Sequence, residues 1–364
     1  MDSQTKVKPT IRRILLYKVG SLGDTVVALP CFNLIARQFP EAERVLLTNL
    51  PLQAKVAAAE TVLENSGLIH RTIRYAMKRG GIWRKTWQLL RFRPDMVVYL
   101  RELRSIDEVR RDMFFFRHIC RAKLLVGFPH VYEGRRLLDV STGYYEPEAF
   151  RQARMIREIG DAAPGNPKSW DLHLTEAEMS TARDAVAELK GVPFIVCAPG
   201  TAMPAKDWGQ ERWQSLLALL GQDFKGHGLV LIGAKQDIEV ATVASRLWNG
   251  PVLNLCGKTR VRITAAIIGS ARLFLGGDSG PMHLAASMGT PSVIAFASRE
   301  QRGVWFPQGS FNEVLYREME CSMCRLVVCT THHNKCLTAI TVTEMQEASH
   351  QVIQRKENPL VNLA

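Results

Sequence analysis

The stretch that decides the fold is GGDSGPMHLAASMGTP, residues 276–291. An apolar run at 271–275 leads into it, and a second at 292–296 follows. Between them, two glycines, an acid and a serine open a segment of helical spacing that stops at Gly289. Strand, tight turn, helix and strand in that order make a βαβ unit, with its strands parallel and its helix packed across them. Ser279 or Gly280 can cap the helix, and Pro281 sits in the first turn, where its missing N–H costs nothing. The main chain of Ser279, Gly280, Pro281, Met282 and His283 then faces outward beside Asp278, and the helix dipole adds to its pull on an anion. The stretch reads either as a phosphate cradle or as an ordinary capped turn.

Outward from this unit the same rhythm recurs. Strand-like runs at 193–198, 228–232, 252–254, 271–275 and 292–296 alternate with helix-length segments. An earlier series has runs at 14–17, 44–48, 96–100 and 123–126, with a helix over 24–38. Such alternation predicts two α/β units, each a doubly wound parallel sheet covered on both faces. The segment 161–168, DAAPGNPK, has linker composition, and a polar helix over 175–190 opens the second series. We therefore expect one unit over 1–174 and another over 175–364, with a last helix at 343–356 that can pack on either. Ligands of such sheets sit in the crevice beyond the carboxyl ends of the strands.

Of 364 residues, 46% are hydrophobic and 23% charged, as in a soluble globular chain. No apolar run reaches the ~18 residues of a membrane span, and residues 14–17 are too short for a signal-peptide core. A cytoplasmic location is expected. The net charge is +12, and residues 71–123 alone hold 15 Lys or Arg against 5 Asp or Glu. That segment attracts a polyanion, whether nucleic acid, anionic membrane or phosphorylated substrate, or is simply a solvated face.

The other loops at strand ends supply side chains. Residues 199–208, PGTAMPAKDW, bring the Thr201 hydroxyl and the Lys206 ammonium, both suited to a diphosphate. Residues 233–239, GAKQDIE, bring Asp237 and Glu239 where a ribose diol could be held, unless either acid only caps the next helix. Gly257 and Lys258 follow the 252–254 run and complete the donor-side set. In the first unit, residues 19–25, VGSLGDT, place Ser21 and Asp24 on the opposite wall, with Asp24 either a helix cap or an acceptor for the proton of an attacking hydroxyl. The loop has G-x-x-G where a dinucleotide fingerprint needs G-x-G-x-x-G, and no G-x-x-x-x-G-K-[ST] occurs anywhere. Those patterns disfavour an NAD enzyme and a P-loop NTPase.

With these residues in place, the chain resembles glycosyltransferase family nine, the heptosyltransferases of lipopolysaccharide core assembly. ILLYKVGSLGDTVVALPCFNLIARQFPEA is similar to the family's opening, GGDSGPMHLAASMGTPSVIAF to its donor signature, and PGTAMPAKDWGQERW to its Thr/Lys loop. The resemblance implies a GT-B fold and inverting transfer from a nucleotide-diphosphate sugar, typically ADP-heptose, without a catalytic metal. It implies Asp24 as general base, Lys206 as the cation that neutralises the diphosphate, and Thr201 as a phosphate contact. Asp278 and the main chain of 279–283 fall on the donor pocket, and Asp237 or Glu239 falls near the ribose. Ser21, Arg101 and Arg104 fall on the acceptor side, where Arg110, Arg111 and Arg117 extend a landing surface for a phosphorylated glycolipid and the inner-membrane cytoplasmic leaflet. Nucleic acid is not expected as a partner.

Four of the eight cysteines are close in sequence, Cys321-x2-Cys324-x4-Cys329-x6-Cys336. In a reducing compartment such a cluster points to metal more than to disulfides. A structural zinc or iron is expected, although a single C-x2-C departs from paired zinc knuckles and His332 or His333 could replace a ligand. Two readings from other classes use the same features: another GT-B enzyme such as a nucleotide-sugar epimerase, and a non-catalytic nucleotide or nucleic-acid binder.

Overall fold

The computed structural model describes residues 11–50, 57–75, 85–102, 105–129 and 134–358. The first half is a parallel five-stranded sheet in the order β3-β2-β1-β4-β5. Its strands are β1 Arg13–Tyr17, β2 Glu43–Asn49, β3 Arg71–Tyr75, β4 Met96–Tyr99 and β5 Leu124–Val126. A short antiparallel hairpin, β6 Leu138–Asp139 with β7 Tyr144–Tyr145, follows. The second half is a parallel six-stranded sheet in the order β10-β9-β8-β11-β12-β13. It comprises β8 Phe194–Ala198, β9 Gly228–Leu231, β10 Val252–Asn254, β11 Leu273–Gly277, β12 Ser292–Phe296 and β13 Asn312–Tyr316.

Each sheet reverses its strand order once, between β1 and β4 and between β8 and β11. The central strands are apolar throughout because both faces are covered. Along β1, Ile14 and Leu16 enter one core and Leu15 and Tyr17 the other, the period of two that a pleated strand imposes. Along β8, Phe194, Val196 and Ala198 face one core while Ile195 and Cys197 face another. The core behind Ile14 and Val196 is continuous, so the two halves share buried apolar surface instead of meeting only at a linker.

Four strands lie outside the expected runs: the two-residue strands β6 and β7 of the hairpin, and two edges of the parallel sheets. In β3 only Ile73 and Tyr75 are buried, so the strand lacks an apolar run, and every residue of β13 is half-buried. The expected single helix over 24–38 is two, Leu22–Val26 and Leu29–Gln38, with Pro30 in the first turn of the second. The last helix, Val342–Glu357, buries Met345, Val352 and Ile353 in the second half, against the side of the sheet that carries the helix Gln210–Asp223.

Candidate active site

On the first-half wall, Ser21 is the N-cap of Leu22–Val26. Asp24 Oδ2 accepts hydrogen bonds from the Ser21 N–H and the Ser21 Oγ, each at 2.8 Å. Among the described residues nothing hydrogen-bonds the other oxygen, and the residue is half-exposed. Cap and base are therefore compatible roles: one carboxylate oxygen fixes the side chain while its neighbour stays available. Thr25 closes the turn by bonding back to Ser21 O.

Beneath Asp24 lies charge that the sequence did not reveal. Lys18, 1% exposed, donates from Nζ to Leu100 O at 3.1 Å, bridging the carboxyl ends of β1 and β4. Burial lowers its pKa, opposed by the charges of Asp24 and Glu148. Glu148 is fully buried and accepts from Arg151 Nη2 at 2.6 Å, Gln152 Nε2 at 3.0 Å and Arg136 Nη2 at 3.2 Å. Burial pushes its carboxyl up, but Arg151, Arg136 and Lys18 together hold it down at about 2. A lone Lys after a strand and a Glu in a helix carry no pattern that announces such a cluster.

Arg101 corrects the acceptor-side expectation. It is buried, donating to Tyr17 Oη at 3.0 Å and to Asp112 Oδ2 at 2.8 Å, with its guanidinium 5.1 Å from the centre of the Tyr17 ring. A planar cation between aromatic faces and a carboxylate is satisfied inward, so Arg101 braces the sheet and does not face a substrate. Arg104 lies outside the described residues. Arg110 is exposed, while Arg111 and Arg117 are partly tied to Asp112 and to Lys123 O.

On the opposite wall, Lys206 Nζ lies 2.9 Å from Asp278 Oδ1. Asp278 is 4% exposed, and its Oδ2 is buried with no hydrogen-bond partner among the described residues. Asp278 thus acts through Lys206, holding the ammonium at the mouth of the switch point between β8 and β11. Thr201 Oγ1 accepts from the Met203 N–H at 3.2 Å, which shapes the turn leading to Lys206. Ser279 caps the helix Gly280–Ser287, but the Met282 N–H is already turned onto Ser279 O at 3.3 Å. With Pro281 lacking a donor, the cradle narrows to the Ser279 and Gly280 amides, which have no acceptor among the described residues.

The two candidate ribose acids part company. Asp237 is 5% exposed, accepts the Ala234 N–H at 2.8 Å and lies where Gly200 and Gly233 leave room for it. It braces the loops, so the ribose expectation fails for Asp237, whereas Glu239 is exposed. Gly257 and Lys258 are exposed at the end of β10, with the Gly257 N–H bonded to Gly233 O at 2.9 Å.

The walls meet where Leu22–Val26 crosses Gly280–Ser287. A Cβ on Gly23 would fall 2.9 Å from His283 Cδ2, and one on Gly280 would fall 2.6 Å from Leu22 Cδ2. Only residues without side chains allow this approach. The His283 ring, expected to contribute through its backbone, instead fills the contact. Burial lowers its pKa to about 4, with Asp24 pulling upward and Lys206 pushing down. Arg262 ties the halves a second time, donating to Val62 O at 3.0 Å, Leu172 O at 2.8 Å and Glu178 Oε1 at 2.6 Å. Three segments converge on one 1%-exposed guanidinium.

Cys321, Cys324, Cys329 and Cys336 are free thiols near the surface. No three His, Cys, Asp or Glu side chains among the described residues converge to hold a metal ion. As placed, the cluster does not fit the expected zinc or iron site.

Residues 129–334 match the model of glycosyltransferase family 9 (heptosyltransferase). The chain is 26% identical over 160 residues to lipooligosaccharide heptosyltransferase 2 of Campylobacter jejuni, covering 42% of this chain and 50% of that one. The chain spans about half the length of the curated relatives it matches. In fold it is similar to a family 9 glycosyl transferase from Veillonella parvula, with TM-score 0.69 at 17% identity over 94% of this chain and 98% of that one. It also resembles the E. coli ADP-heptose lps heptosyltransferase II, with TM-score 0.63 at 18% identity over 95% and 99%. Two facing parallel sheets with this likeness are the GT-B fold, and the chain belongs to glycosyltransferase family 9, the heptosyltransferase family.

Proposed function

We propose that this protein is an inverting glycosyltransferase that moves heptose from ADP-heptose to a phosphorylated glycolipid of the lipopolysaccharide core. One observation carries the reading. A carboxylate with one oxygen to spare and an ammonium pinned by a buried acid stand on facing sheet ends, joined through Gly23 and His283. Asp24 takes the proton of the attacking acceptor hydroxyl as the oxygen reaches the anomeric carbon from the first-half side. The bond to the diphosphate breaks, and the charge that builds on the leaving group meets Lys206 and the Ser279 and Gly280 amides. Lys206 has three donors, so its pairing with Asp278 leaves two for phosphate oxygens. His283 excludes water between base and donor and, neutral near pH 7, adds no charge that would compete for Asp24.

The acceptor side supports attachment to an anionic bilayer. The helices Thr86–Phe92 and Ile106–Phe114 pack on the same sheet face and leave Trp87, Leu90 and Phe114 exposed. The Arg91 guanidinium lies 5.5 Å from the Trp87 ring centre, an aromatic–cation pair suited to the headgroup layer. No helix among the described residues is long and apolar enough to cross a membrane. We place the protein on the cytoplasmic face of the inner membrane, bound reversibly.

The test is release of ADP from ADP-heptose by the purified protein with and without a deacylated core acceptor. Acceptor-dependent release with a heptosylated product is expected. Release independent of acceptor, or faster turnover of UDP- or GDP-sugars, overturns the donor assignment. Binding to anionic vesicles should weaken between 50 and about 300 mM salt, since the attraction is screened over roughly 10 Å at 0.1 M.

A further inference from the structure

Lys18 follows β1 directly, and its ammonium is buried at the mouth of the first sheet. A buried charge is costly unless an opposite charge answers it. Among the described residues Lys18 makes no direct ion pair, and only the uncharged Leu100 O, at 3.1 Å, accepts from its three N–H donors. Glu148 has no room for it. The Glu148 Oε1 accepts from Arg151 Nη2 at 2.6 Å and Gln152 Nε2 at 3.0 Å, and its Oε2 from Arg151 Nε at 2.9 Å and Arg136 Nη2 at 3.2 Å. An ionised carboxylate offers about four acceptor positions, so this one is saturated. Arg136 turns its remaining reach to Glu102 Oε1, at 2.7 Å, and to Gln301 Oε1, at 3.3 Å. Arg151 and Arg136 therefore have carboxylates in contact, and Lys18 does not.

Asp24 is the acid that remains. Its Oδ2 is held by Ser21, and its other oxygen is uncommitted among the described residues. A Cβ on Gly20 would fall 2.7 Å from Asp24 Oδ2, so the carboxylate folds onto the loop that carries Lys18. Gly20 permits this with a φ of 140°, and Asn49 Oδ1 fixes its N–H at 3.0 Å. Burial works against the Lys18 ammonium, and Asp24 supports it more than Glu148 does, while Arg151 opposes it. The other titratable neighbours carry no charge near neutrality. Burial pushes the Cys31 thiol, in the helix Leu29–Gln38, up to about 12, and lowers the His283 ring of the facing helix to about 4.

We propose that Lys18 is a positioning residue for the transfer reaction, the buried counter-charge that keeps Asp24 in its ionised, proton-accepting form. It touches neither donor nor acceptor and acts through Asp24. When Asp24 takes the proton of the acceptor hydroxyl, the pair loses its negative member and Lys18 stands uncompensated in a buried site. Return of that proton to water after product leaves restores the pair, so the base resets for the next turnover. The catalytic effect rests on the proposed role of Asp24, whereas the coupling of the two charges does not.

Two measurements on the full-length protein read the coupling and its catalytic use separately. Melting temperatures are compared for Lys18→Met, Asp24→Asn and the double variant at neutral pH. Asp24→Asn alone should lower Tm by about 2–4 °C, because it strands the ammonium, and should cost nothing further once Lys18 is Met. Where Lys18→Met does not fold, Lys18→Gln takes its place in the cycle. Additive losses overturn the pairing. Transfer is then followed across pH in Lys18→Met and Lys18→Gln, the second of which keeps a donor for Leu100 O. In both, the acid limb of kcat/KM should move up by about one pH unit, a roughly tenfold loss at a given pH on that limb, with the plateau within about threefold of the parent. A parent-like limb in Lys18→Gln would show that the hydrogen bond and not the charge matters, and overturns the proposal. Non-additive melting in a protein that transfers no sugar supports the pair and instead sinks the transferase reading of Asp24.

Discussion

The two sheet mouths are topological equivalents and hold their carboxylates differently. Asp24, at the reversal between β1 and β4, is half-exposed and commits one oxygen to a cap. Asp278, at the reversal between β8 and β11, is buried and spends its charge on Lys206. The same location in the fold therefore yields a carboxylate with one oxygen uncommitted on one side and a cation held in place on the other. Burial and partner set that difference, because a carboxylate oxygen held in a buried ion pair is not presented to an incoming group.

The strongest way to break this contrast is Asp24→Asn. The amide oxygen still accepts the Ser21 hydrogen bonds but takes no proton, so kcat should fall roughly 100-fold or more at little change in ADP affinity. Comparable turnover in this variant would remove Asp24 from the mechanism. Lys206→Met strikes the other wall and leaves Asp278 buried without its cation. We expect ADP affinity and kcat to drop together, by roughly 10- to 100-fold, and stability to fall by about 1–3 kcal/mol. Adding Asp278→Asn should recover the melting temperature and not the activity, which separates pairing from catalysis.

The joint between the walls gives a finer test. Gly23→Val places methyl groups against His283 and should push the two helices apart, at a cost of about 1–3 kcal/mol. ADP affinity should survive because the second-half wall is intact, while kcat should fall about tenfold. Equal loss of both would mean that the donor pocket itself depends on the first half.

The mildest probe is pH. His283 is held at about 4 against an ordinary 6.5, so the folded state binds fewer protons than the unfolded one between those values. Its contribution is complete above about pH 6.5 and is lost as pH falls toward 4. Glu148, held at about 2 against 4.5, contributes above 4.5 and fails only below that. Denaturant midpoints measured from pH 8 to 3 should therefore fall in two stages, with His283→Gln erasing only the upper one. A single stage near pH 4 would show that His283 is not buried as a neutral ring.

How much was legible in advance follows from what each residue answers to. The central strands were readable because burial on both faces demands apolar runs, and β3 and β13 were not because edge strands tolerate charge. The loops bearing Asp24, Thr201, Lys206 and Asp278 were readable because glycine, proline and capping residues mark turns at strand ends. Arg101 was misjudged, because an Arg after a strand looks the same in sequence whether it points at solvent or between tyrosine rings. Asp237 and Glu239 could not be separated, since two acids two residues apart differ only in which one finds a backbone N–H to accept.

The sequence by itself determined two parallel sheets, the turns at their mouths and the kinds of group displayed there, because periodicity and turn chemistry are local. Only the tertiary structure decided that Asp24 keeps an oxygen free, that Lys206 is pinned by Asp278, and that Lys18, Glu148, Arg262 and His283 are buried between distant segments. Those states depend on burial and on partners separated by up to 200 residues, as in Arg262 with Val62. No local pattern encodes either one.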